Sequence, residues 1–133
     1  MTLDSVLRDA LAQDVIAVVG CSGTAGKDAH EVPKYLVRHG YEVIPVNPVR
    51  DEVLDRPAYD SLAEVEADVD VVNVFRPSDE VAGIVDQAVD RDDVSFLWTQ
   101  LDVRDDEAAA RAEDAGIDVV QDRCIKVEHR RLQ

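Results

Sequence analysis

An apolar, β-branched run, Val15-Ile16-Ala17-Val18-Val19, enters a turn with glycines at 20, 23 and 26 and leaves it in a helical pattern near Asp28. Strand, glycine turn and helix in that order constrain the chain more than any other feature. Glycines let backbone N–H groups approach a bulky anion without interference from a Cβ. The N-terminus of the following helix adds partial positive charge at the same place. The segment therefore points to a phosphate-bearing ligand, a nucleotide. Its spacing, G-x-x-G-x-x-G, is neither the G-x-G-x-x-G of dinucleotide folds nor the G-x-x-x-x-G-K-[ST] of a P-loop, which argues against both NAD(P) and ATP.

The 133 residues suit a single domain, 1–133, with one substantial core. No apolar run reaches the ~20 residues of a membrane span. Met1-Thr2-Leu3-Asp4-Ser5 lacks the basic and apolar regions of a signal peptide, so a cytoplasmic location is expected, with no membrane partner. Two cysteines, Cys21 and Cys124, form no C-x-x-C pair and indicate neither a disulfide framework nor a zinc site. His30, His39 and His129 have no metal-ligand spacing.

Alternation of strand and helix patterns runs through the chain. Helical spacing covers Leu3–Gln13, Glu31–His39 with Pro33 in its first turn, a stretch from Ser78 carrying Val81, Ile84, Val85, Ala88 and Val89, and Asp105–Ala115. Strands are expected at Val15–Val19, Tyr41–Val46, Val69–Phe75, Val94–Trp98 and Asp118–Val120, with a weaker sixth over the alternating tail from Cys124. Pro45 should present its nitrogen away from a ladder. Val49–Pro57 reads as an irregular excursion, and Ser61–Val65 as a short helix capped by Asp60 or Ser61. The class is α/β, with a doubly wound, mostly parallel, five-stranded sheet in the expected order 3-2-1-4-5.

Ligands of such sheets bind beyond the carboxyl ends of the strands. The residues expected there are Gly20, Cys21, Ser22 and Gly23 after the first strand and Val46, Asn47 and Pro48 at the second. Phe75, Arg76 and Ser78 follow the third, Trp98-Thr99-Gln100 the fourth, and Gln121-Asp122-Arg123-Cys124 the fifth. A dinucleotide fold places an acid after its second strand for the ribose hydroxyls. Here a neutral Asn47 stands there, which a phosphorylated ribose tolerates better, with Lys27 and Arg50 as candidate cations. Ser78 doubles as a candidate helix N-cap. Trp98, Tyr35 and Tyr41 read as packing residues. Cys124, beside Arg123, reads as a small buried hydrophobe rather than a reactive thiol.

Taken in order, Val18-Val19-Gly20-Cys21-Ser22, Gly40 through Pro48, Val74-Phe75-Arg76-Pro77-Ser78, Trp98-Thr99-Gln100-Leu101 and Asp122-Arg123-Cys124 resemble the small stand-alone CoA-binding proteins. The resemblance runs from Val15 to Leu132 and extends to the CoA-binding domains of succinyl-CoA synthetase alpha subunits and ADP-forming acyl-CoA synthetases. It implies a Rossmann-like fold with coenzyme A across the strand ends. By that likeness the backbone of Gly20, Cys21 and Ser22 meets the pyrophosphate, and Val46, Asn47 and Pro48 lie beside the adenosine. Phe75, Arg76 and Ser78 border the phosphates and the start of the pantetheine arm. Relatives carry an Arg after the first glycine; Lys27 stands in for that cation here.

The expected function is non-catalytic binding of coenzyme A or an acyl-CoA, as carrier, sensor or regulatory module. A homodimer or an acyl-CoA-processing protein is the expected partner. The alternatives are an NAD(P)-dependent oxidoreductase, a CoA-binding subunit of an acyl-CoA ligase, and an interaction module whose glycine turn is only structural.

Charge adds one expectation. With 29 acidic residues (20 Asp, 9 Glu) against 11 Arg and 3 Lys, the formal net charge is −15. That field repels nucleic acid, and no basic stripe offsets it. Asp over Glu and Arg over Lys together suit a salt-rich cytoplasm, where screening removes self-repulsion. The fold should loosen in low-salt buffer; equal melting temperatures at low and molar KCl contradict a halophilic origin for the charge.

Overall fold

The computed structural model describes residues 2–133. Helix α1 (Leu3–Leu11) opens at a capping box in which Thr2 Oγ1 accepts from Ser5 N and Ser5 Oγ accepts from Thr2 N. It leads into β1 (Val15–Val19), α2 (Asp28–Arg38) and β2 (Glu42–Val46). A hairpin of β3 (Glu52–Val53) and β4 (Arg56–Pro57) follows. The remainder alternates as β5 (Val71–Val74), α3 (Val81–Val89), β6 (Phe96–Thr99), α4 (Asp106–Asp114), β7 (Asp118–Val120) and α5 (Ile125–Leu132).

Five parallel strands form the sheet in the order β2-β1-β5-β6-β7. Counting only these five in chain order, the arrangement is 2-1-3-4-5, which corrects the expected 3-2-1-4-5. The reason lies on the outer edge of β2. Glu42 N donates inward to Asp14 O and Gly20 N donates to Val46 O, so the alternate positions, Pro45 among them, face outward. Pro45 has no N–H to offer there, as its placement in an edge strand requires. A single residue closes that edge instead: Tyr59 N donates to Pro45 O and Tyr59 O accepts from Asn47 N. The strand Val71–Val74, buried along its whole length, takes the remaining edge of β1.

Apolar side chains alternate between the two faces of the sheet. Ala17, Val19, Val72, Val74 and Leu97 pack with α3 and α4; Ile16, Val18, Val71 and Trp98 pack with α1, α2 and α5. Trp98 is fully buried, and its indole N–H donates to Arg123 O. Tyr41 is buried too, its hydroxyl donating to Leu11 O. Connections leave β1 toward one face and β5 toward the other, so the switch point of the sheet lies between them.

The tail forms α5, not the expected strand. Ile125, Glu128 and His129 are its buried residues, at i, i+3 and i+4, whereas Val127, whose alternation with Ile125 suggested a strand, is 57% exposed. Helix α5 docks on α2 through Tyr35 and His129, whose hydroxyl oxygen and Nδ1 are 2.6 Å apart. Burial and the nearby His39 hold His129 below the usual imidazole range, hence neutral near pH 7.

Pro33 lies in the second turn of α2 rather than the first, because the helix begins three residues earlier than its apolar spacing indicates. A helical residue at that position would donate its N–H to Ala29 O. Pro33 has none, and Ser22 N of the glycine turn donates to Ala29 O instead, at 2.8 Å.

Candidate functional site

At the carboxyl ends of β1, β2 and β5 the loops surround a cleft of about 610 Å³. Its floor is the turn after β1. Gly20 adopts φ +90, and a Cβ there would stand 2.8 Å from Arg76 Cδ and 3.2 Å from the Phe75 carbonyl carbon. The missing side chain thus lets the stem of Arg76 cross the turn. Gly23 plays the same part for Arg50, whose guanidinium Cζ would lie 2.6 Å from a Cβ.

The side chain of Asn47 locks this floor to the β2 loop and braces that loop on itself. Asn47 Nδ2 donates to Cys21 O at 2.9 Å, and Asn47 Oδ1 accepts from Val49 N at 2.8 Å and Arg50 N at 3.2 Å. Ser22 Oγ accepts from Thr24 N. Gly20 N and Ser22 N are spent on Val46 O and Ala29 O. The N–H groups of Cys21 and Gly23 have no acceptor among the described residues. These two amides, rather than the three at 20–22, are the ones left without an internal acceptor.

Three cations, Lys27, Arg50 and Arg76, against two carboxylates, Asp60 and Glu80, give the lining of the cleft a small excess of positive charge in an acidic chain. Among the described residues neither Lys27 nor Arg50 has a carboxylate within ion-pair distance, whereas Arg76 pairs with Glu80. That pair is bidentate, Nε to Oε1 at 3.1 Å and Nη2 to Oε2 at 2.7 Å, and it lowers the Glu80 carboxyl below its ordinary range. Cys21 meets the cleft without offering a nucleophile, since its side chain is fully buried and burial pushes the thiol up to about 12. The two cysteines are both free.

Of the residues expected from sequence, this cleft gathers Gly20, Cys21, Ser22, Gly23 and Lys27 from the first loop, Val46, Asn47, Pro48 and Arg50 from the second, and Phe75 and Arg76 from the third, whereas Trp98-Thr99-Gln100 and Gln121-Asp122-Arg123-Cys124, after the fourth and fifth strands of the sheet, do not line it. Ser78 is not among its lining residues. Its hydroxyl accepts from Arg104 N at 2.9 Å, and it caps no helix, because Ser78–Glu80 is a 3-10 turn with Pro77 in the cap position. Ser61 likewise stands before a 3-10 turn, Leu62–Glu64, without capping it by its side chain. Asp60, Ser61, Leu62, Ile84 and Gln87 complete the far wall; sequence reasoning passed over them. The Tyr59 contact that brings Asp60 and Ser61 to the β2 edge is a single bridge with no periodic signature. Glu80 had one, standing four residues after an arginine at a helix start.

A family model for the CoA binding domain matches residues 14–130. The uncharacterized protein YneT of Bacillus subtilis is 40% identical over 114 residues, 86% of this chain and 84% of that one. A hypothetical protein from Pyrococcus horikoshii superposes with a TM-score of 0.93 at 36% identity, covering 98% of this chain and 92% of the other. The dinucleotide forming acetyl-coenzyme A synthetase 1 of Ca. Korarchaeum cryptofilum matches with a TM-score of 0.73 at 27% identity, over 86% of this chain but only 26% of the synthetase chain. The chain belongs to the CoA-binding domain family.

The two cradling glycines should respond differently to a methyl group. Gly23 has no positive φ, and the atoms it would meet are the mobile end of Arg50, so Gly23→Ala should leave stability within about 0.5 kcal/mol of the parent. Gly20→Ala meets both a left-handed backbone and a backbone carbon and should cost about 2–4 kcal/mol. Urea midpoints measure both; equal losses contradict this description of the turn.

Proposed function

We propose that the cleft binds coenzyme A, or an acyl-CoA, and that the chain acts as a non-catalytic binding or regulatory module. The observation that carries the reading is the convergence of Lys27, Arg50 and Arg76 with two unengaged amides at the switch point of the sheet, in a chain of net charge −15. A polyanion gains there what the rest of the surface denies it. Membership of the CoA-binding domain family supports the choice of polyanion.

In this reading the pyrophosphate takes the N–H groups of Cys21 and Gly23, with Lys27, Arg50 and Arg76 supplying charge. Val46 and Pro48 border the adenosine. Asn47 serves by position, one Nδ2 hydrogen going to Cys21 O and Oδ1 taking the Val49 and Arg50 amides, so that it sets where Arg50 stands and keeps its second Nδ2 hydrogen for the ligand. The pantetheine arm leaves along Phe75, Leu62 and Ile84, the apolar part of the lining. An oxidoreductase reading lacks its usual carboxylate, because the residue after β2 is Asn47.

A second reading is favoured by one comparison. An ADP-forming acetate–CoA ligase of Methanocaldococcus jannaschii is 29% identical over 72 residues, which make up 10% of that ligase. The chain then serves as the CoA-binding part of an assembly whose ligation chemistry resides on an acyl-CoA-processing partner; a second copy of the chain is the other candidate partner. Co-purification from native cells separates these arrangements.

Calorimetry and thermal shift with CoA, 3′-dephospho-CoA, NAD and ATP test the ligand. At a hundredfold excess over its Kd, a bound ligand stabilises by about 2.7 kcal/mol, roughly 10 °C in a domain of this size. CoA should give that shift and NAD none. A clear response to NAD with silence toward CoA overturns the reading.

A further inference from the structure

Of the three cations in the cleft, Arg76 alone has a carboxylate at its fork, and that carboxylate, Glu80, also lines the cleft. The stem of Arg76 lies across Gly20, closer than any Cβ would permit, so the turn limits where its head can go. Glu80 stands one helical turn further on, at the junction of the Ser78–Glu80 turn with α3. Carboxylate and phosphate seek the same planar set of guanidinium donors, and here Nε and Nη2 are both taken. Both side chains are about half exposed, 47% and 46%, so water screens the pair and it is cheap to open.

We propose that Glu80 is a built-in competitor for the anion of this cleft: it occupies the phosphate-binding fork of Arg76 and must be displaced when a polyanion enters. The inference rests on the reading of the cleft as a polyanion site. Glu80 holds Arg76 in place while the cleft is empty and sets a threshold of charge for entry. A ligand with one negative charge exchanges one carboxylate for another and gains little. A pyrophosphate carries enough charge to take the fork and to outweigh repulsion from the displaced Glu80. Asp79, next in sequence, adds to the negative field on Arg76 but makes no ion pair with it, and so provides the control.

Glu80→Gln frees the fork while keeping the shape of the side chain. Titration of parent and E80Q proteins with CoA, and separately with inorganic pyrophosphate, should show E80Q binding each about two- to fivefold more tightly, the range expected of an exposed ion pair. Asp79→Asn removes the same charge and should give a smaller gain. In an Arg76→Gln background the added E80Q change should give no gain beyond that of D79N. Equal or weaker binding by E80Q, or a gain that without Arg76 still exceeds that of D79N, overturns the proposal. Melting temperatures of the same samples show whether each variant is folded. Silence toward CoA in every protein counts against the CoA reading, and the pyrophosphate titration still decides on Glu80: no gain there overturns it.

Discussion

Pro33 has no amide hydrogen, and the shape of the cleft follows from where the unclaimed carbonyl of Ala29 finds its donor. That donor is Ser22 N, in the middle of the glycine turn. A buried or half-buried carbonyl left without a partner is costly, so the exchange fastens the turn to the first coil of α2. Asn47 fastens the same turn from the other side through Cys21 O. With its backbone held at 21 and 22, the turn keeps the amides of Cys21 and Gly23 out of internal bonds. A proline that looks like a flaw in a helix and an asparagine that looks like a ligand contact are, on this account, the two supports of the site.

Above those supports, sheet order decides which loops meet. Because Pro45 cannot donate outward, β2 remains at the edge, and β5 pairs with the free side of β1. The loops after β1, β2 and β5 then surround one hollow, and each brings a cation: Lys27, Arg50 and Arg76. With β5 beyond β2, as the expected order had it, Arg76 would have been a strand further from the glycine turn. The acidic surface gives the cluster its meaning, since in a chain with 29 carboxylates this cleft sets three cations against only two of them, Asp60 and Glu80.

Much of this was legible in the residues. Val15–Val19 and Asp118–Val120 form strands with the expected bounds, because β-branched runs closed by turn residues leave little choice. That Gly20 and Asn47 meet followed from the rule that strand ends converge, whereas Arg76 lies beside Gly20 only because β5 pairs with β1. What escaped were features carried by single contacts. Ser78 faces the α4 side because a 3-10 turn precedes α3, and cap chemistry alone does not tell that turn from an α-helical start. The tail misled because Ile125 and Val127 alternate, while the helical signal lay in Glu128 and His129, polar residues buried through ion pairs and a tyrosine. The helix start near Asp28 was legible after the glycine turn, but the apolar spacing of Glu31–His39 put Pro33 in a first turn, its usual place, when it stands in the second.

In the proposed binding mode the unengaged amides of the glycine turn receive the phosphates of coenzyme A. Amide chemical shifts recorded during a CoA titration of the full chain test it most directly. The Cys21 and Gly23 resonances should move most, with smaller changes at Arg50 and Arg76, while the opposite rim around Thr99 and Asp122 stays still. Saturable shifts centred on that opposite rim, with Cys21 and Gly23 unmoved, would contradict it.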